Sequence, residues 1–84
     1  MKYTVVWKQA AEDELARLWT ETADRNAVRR AADYMEKLLA MRPLALGESR
    51  TGSMRIAFEA PLGMFYDVSE QDRIVSVVRV WRVD

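Results

Sequence analysis

The segment Arg73-Ile74-Val75-Ser76-Val77-Val78-Arg79-Val80-Trp81-Arg82-Val83 is dominated by valine and isoleucine, residues that suit a pleated, half-buried surface. It predicts a long final strand. By the two-residue period of a strand, Ile74, Val78 and Val80 point one way, and Val75, Val77, Trp81 and Val83 the other. Both faces of this strand therefore call for burial. Either the strand is central, shielded by loops and by the first strand, or one face is reserved for a partner.

Ahead of it, Ser69-Glu70-Gln71-Asp72 reads as a polar turn and Met64 to Val68 as another strand. Pro61 and Gly63 make the preceding turn. Met54, Ile56 and Phe58 alternate with Arg55, Ala57 and Glu59, the pattern of a half-buried strand. Leu46 to Ser53, with Gly47 and Gly52, reads as loop.

Two helices come before this loop. Ala11, Leu15, Leu18, Trp19 and Thr22 recur at helical spacing against Glu12, Asp13, Glu14, Arg17 and Glu21, predicting a helix from about Gln9 to Ala23. Its acidic first turn suits the positive end of the helix dipole. Asp24 or Asn26 can cap a second helix, whose stripe is Val28, Ala31, Met35, Leu38 and Leu39. Pro43 ends it, because the residue before a proline is pushed out of helical geometry. Tyr34, at the flank of this stripe, reads as packing. At the start, Tyr3 to Trp7 predicts a strand with Tyr3, Val5 and Trp7 on one face.

The order strand, helix, helix, strand, strand, strand gives one α+β domain over residues 1–84: a helical hairpin on one face of an antiparallel four-stranded sheet. A chain of 84 residues buries only about 60–65% of the surface its unfolded form exposes, so help from a partner is expected.

Composition excludes much chemistry. With no Cys there is neither a disulfide nor a thiolate nucleophile, and with no His the usual neutral-pH acid/base and metal ligand is missing. No GxGxxG, P-loop, GxSxG or metal-ligand cluster occurs, so no cofactor and no metal are expected. The N-terminus is too short in apolar residues for a signal peptide, and no run approaches the roughly 20 apolar residues of a membrane span. A cytoplasmic protein with no membrane contact is expected. Thirteen basic and thirteen acidic side chains cancel, so any contact with nucleic acid must be local.

Arginine on strands remains. Arg55, Arg79 and Arg82 lie in strands and Arg50 in the loop before them, and guanidinium forks of one sheet can stabilise a phosphate in a transition state. The ordinary role of such arginines is solvation or pairing with carboxylates. Acid/base candidates are Glu48, Glu59 and Tyr66; Tyr66 shares its face with Met64 and Val68, which argues for the core. The tryptophans Trp7, Trp19 and Trp81 read as packing, although an exposed Trp81 beside Arg79 and Arg82 makes a stacking platform for a base.

Taken together, Tyr3-Thr4-Val5-Val6-Trp7, Ala10-Ala11-Glu12-Asp13-Glu14-Leu15, the helix ending at Pro43 and Gly47, Phe65-Tyr66-Asp67-Val68 and the segment Asp72 to Arg82 resemble the RelE/ParE toxins over nearly the whole chain. The resemblance implies the toxin, of plasmid-stabilisation type, of a type II toxin–antitoxin module, neutralised by a cognate antitoxin. RelE-like members cut mRNA on the ribosome with basic residues of the sheet and often a Tyr or His near the C-terminus; ParE-like members inhibit DNA gyrase. By this resemblance Arg82 matches the arginine at the end of the last strand. Gly63 stands where a basic residue is expected before Phe65, and the chain reaches Asp84 without the terminal Tyr or His. These departures favour gyrase inhibition, with a ribosome-dependent mRNA endonuclease and a non-toxic binding module of the same fold as alternatives. On the nuclease reading Arg82, Arg55 and Glu48 are the catalytic candidates; Arg50, Arg79 and Trp81 are those for substrate or partner binding. A homodimer is the remaining partner expectation.

Overall fold

The computed structural model describes residues 2–83. Its elements run β1 (Thr4–Trp7), α1 (Gln9–Glu21), α2 (Arg25–Met41), β2 (Glu48–Ser49), β3 (Met54–Glu59), β4 (Leu62–Ser69) and β5 (Ile74–Arg82). The class is α+β with two helices on one face of a sheet, as the periodicities predict. Two features of the sheet differ. It has five strands, in the order β1-β5-β4-β3-β2, because Glu48–Ser49 inside the expected loop pairs with β3. It is also mixed: β1 lies parallel to β5, with Thr4 opposite Ile74 and Trp7 opposite Val77. The meander β3-β4-β5 is antiparallel because tight turns reverse each strand. No such turn constrains β1, whose partner is some 70 residues away in the chain; two helices intervene, and their return sets its direction.

Asp24 caps α2, its carboxylate accepting from the Ala27 amide at 3.0 Å. From α2, Val28, Ala31, Ala32, Met35 and Leu39 are buried against Leu62, Met64, Tyr66 and Val68 of β4 and Val75, Val77 and Val80 of β5. α1 contributes Ala11 to this core, with Leu15 and Leu18 packed at its margin. Trp19 is 44% exposed and Tyr34 51% exposed, so neither is the packing residue that its stripe implied.

The long final strand does not keep its alternation. Phe65 pairs with Arg79 and Tyr66 with Val77, leaving Val78 as an extra residue in β5. Such a bulge shifts the period by one. Val80 thereby joins Val75 and Val77 on the helix face, while Trp81 turns to the other side with Ile74. One strand therefore does not demand two cores.

The same logic reverses β3. Ala57 faces Met64 and Arg55 faces Tyr66, so Arg55, Ala57 and Glu59 lie on the helix side, and Met54, Ile56 and Phe58 on the open side. Gly47 is required where it stands: φ is +73°, and a Cβ there would collide with the Ile56 carbonyl oxygen.

Candidate functional site

Arg55 turns inward beneath the segment that links α2 to β2. Its Nη2 donates to the carbonyl oxygens of Leu44 (2.9 Å) and Gly47 (3.2 Å), and its Nε to that of Leu46 (3.4 Å). Tyr66, fully buried beside it, donates its hydroxyl to the carbonyls of Pro43 (2.8 Å) and Leu46. Burial pushes the Tyr66 phenol above its ordinary value, which keeps it a neutral donor. Together the two side chains tether the Pro43–Gly47 segment to the sheet.

Arg82 lies elsewhere. It is on the helix side, exposed, with Nη1 donating to Thr22 Oγ1 at 2.6 Å where α1 ends. It pairs with Leu62 whereas Arg55 pairs with Tyr66, so the two are four residues apart along β4 and two strands apart across it. That is about 13 Å by about 10 Å at the backbone, and the two side chains turn to different partners, Arg55 to the Leu44, Leu46 and Gly47 carbonyls and Arg82 to Thr22. Glu48 stands on β2, well exposed, 3.9 Å from Arg50. The sheet thus brings Glu48 and Arg50 together but joins neither to Arg55 or Arg82.

The open face gathers what the alternation of separate strands did not show. Trp81 lies flat over Gly63, so closely that a Cβ there would meet its ring at 2.7 Å. Phe65 and Phe58 pack on the same indole, at 5.1 and 6.1 Å between ring centres. Neither Phe was singled out from sequence; the small residue opposite Trp81 is the signal, legible only once the register is known. Arg79 flanks this cluster and not Arg82, so the platform carries one of the two expected cations.

Arg79 also reaches the edge of β5. β1 ends opposite Val77, and Glu14 of α1 takes over: its Oε1 accepts from the Val80 amide at 3.0 Å and its Oε2 from Arg79 Nε at 2.8 Å. The hydrogen bond from Arg79 holds the Glu14 carboxyl below its ordinary value, and Glu14 in turn raises the arginine. A carboxylate thus replaces a strand at an edge that would otherwise be open.

On the far side, α1 and α2 enclose a groove of about 550 Å³ lined by Leu15, Ala16, Trp19, Val28 and Ala32, rimmed by Glu12, Arg29 and Asp33. The Arg25 guanidinium sits 4.7 Å from the Trp19 ring centre. Among the described residues, no cluster of acidic side chains is placed to hold a metal ion, and no buried side-chain nitrogen or oxygen lacks a partner. No helix among them is long and apolar enough to cross a membrane.

The family model of the ParE toxin of the type II toxin–antitoxin system parDE matches residues 5–84. The chain belongs to the ParE toxin family. Its fold is shared with solved structures at low sequence identity. The toxin–antitoxin complex RelBE2 from Mycobacterium tuberculosis is 19% identical with a TM-score of 0.79, covering 98% of this chain and 99% of that one. A chromosomal ParDE system from P. aeruginosa is 17% identical with a TM-score of 0.63, covering 98% and 97%. A mutant of E. coli toxin RelE in the free state is 14% identical with a TM-score of 0.75, covering 98% and 84%. No curated protein sequence matches the chain. This ParE-family toxin of a type II system carries its aromatic sheet face and its helical groove on opposite sides of the molecule.

Proposed function

We propose that this toxin acts in the cytoplasm by inhibiting DNA gyrase rather than by cutting mRNA. The observation that carries the reading is the engagement of Arg55: three of its N–H groups go to backbone carbonyls, and Arg82, two strands away, turns to Thr22. A nuclease needs cations converging on one phosphate and a base beside them. Glu48, the candidate base, faces solvent and Arg50. The family match supports the same direction.

Induced expression is expected to trigger DNA-damage signalling, and the purified chain to block supercoiling by gyrase, while primer extension finds intact messages. Codon-dependent cuts that vanish in Arg82→Ala would overturn this and give Arg82 and Arg55 the phosphate and Glu48 the base. That variant should then lose about 10- to 150-fold in rate, from a charge-assisted contact of about 1.5–3 kcal/mol. In that case Arg50, Arg79 and Trp81 supply the mRNA contacts. Intact messages together with unaffected gyrase and growth would leave a non-toxic binding module.

The cognate antitoxin is proposed to seat an amphipathic helix in the groove between α1 and α2. Leu15, Trp19 and Val28 present the apolar floor that such a helix needs, and the charged rim sets its orientation. Trp19→Glu should lose co-purification with the neighbouring gene product while folding normally, since Trp19 is nearly half exposed.

A further inference from the structure

We infer that the open face of the sheet is the seat of a second copy of this chain, packed face to face about a two-fold axis parallel to the strands. The register supplies the argument. Glu48, Ile56, Phe65 and Arg79 are successive partners across β2, β3, β4 and β5, and so form one row on the open face. The row begins with an anion and ends with a cation, about 14 Å apart at the ordinary strand spacing.

A two-fold axis between β3 and β4 maps β2 onto β5 and β3 onto β4 without moving a residue along the strand. Glu48 of one copy then stands over Arg79 of the other, twice by symmetry, and Ile56 over Phe65. In the next row Phe58 is opposite Gly63 within the sheet, so the same axis lays Phe58 on the second copy's indole of Trp81, which covers Gly63. An axis across the strands would set Glu48 against Glu48.

The side chains are available for this. Phe58 is 56% exposed. The Arg79 side chain remains 60% exposed after pairing with Glu14, so its guanidinium can serve a second carboxylate. Polyanions fit the face poorly, because Glu48 and Asp67 share it with Arg79.

The four strands that overlap about this axis, β2 to β5, by about six residues make a face of roughly 19 Å by 20 Å, on the order of 400 Å² a copy at most, the size of a weak, transient contact. The association is therefore expected to be reversible and weak. This inference does not depend on the toxin's target, because it is read as mass rather than as toxicity.

Sedimentation velocity of the purified full chain from about 5 to 500 μM tests it. The wild type should pass from monomer to dimer, with weaker association in high salt. Phe58→Glu should stay monomeric throughout, and Glu48→Arg should weaken association about ten-fold, both with unchanged circular dichroism. A wild type that is monomeric at the highest concentration would overturn the inference. So would a dimer indifferent to both substitutions, which places the contact elsewhere, or a monomer whose Phe58→Glu variant escapes its antitoxin, which gives the face to that partner.

Discussion

On the helix side of the sheet, Leu62, Met64, Tyr66, Val75, Val77 and Val80 are sealed beneath α1 and α2, whereas on the open side Phe58 and Phe65 gather around Trp81 with no helix over them. The residue types on the two sides are alike; their neighbours differ. The first face draws its stability from apolar area removed from water. The second leaves large rings partly wet, and a surface of that kind is useful for recognition more than for stability. Polar groups follow the same division. Arg55 and Tyr66 on the helix side hold backbone carbonyls, while Glu48 on the open side is well exposed, with only a loose ion pair to Arg50.

If the division is real, truncation should cost far more beneath the helices than on the open side. Met64→Ala, at a residue with no exposure, should lose about 2–5 kcal/mol in urea denaturation, enough to unfold much of a marginal domain. Gly63→Ala tests the boundary between the faces. The added methyl meets the Trp81 ring and must displace it, for about 1–3 kcal/mol and a red shift of tryptophan emission. If both are unchanged, the indole does not lie on that glycine.

Glu14 gives a pH signature at the edge common to both faces. Its carboxyl is lowered in the folded chain, chiefly by the hydrogen bond from Arg79, so its contribution is complete above the ordinary glutamate value of about 4.3 and is lost as pH falls through the lowered folded value. Thermal midpoints of the wild type and Glu14→Gln should therefore differ at neutral pH and converge in acid. A constant difference across that window would mean that Glu14 acts by shape alone. The smallest effect belongs to Phe58→Ala, which should change monomer stability by under about 1 kcal/mol, since the ring is more than half exposed and leaves no cavity.

Much of the fold was legible locally. Helical spacing located α1 and α2, Pro43 stopped the second helix, and Asp24 proved to be its cap. Met54 to Glu59 emerged as a strand with the expected bounds. The candidate site was less legible. Arg55 looked like a surface cation because alternation says which residues share a face, not which face receives the helices. Glu48 looked like a loop residue because two residues are too few to display a period.

The chain's own pattern therefore determines its element order, its helical stripes and its need for one apolar core, since these rest on interactions between residues near in sequence. Only the assembled structure decides that β1 runs parallel at the edge, that Val78 breaks the alternation of β5, and that Trp81 faces outward over Gly63. Each depends on pairing between distant segments. A one-residue shift in that pairing exchanges the buried and exposed sides of a strand while leaving its local composition untouched.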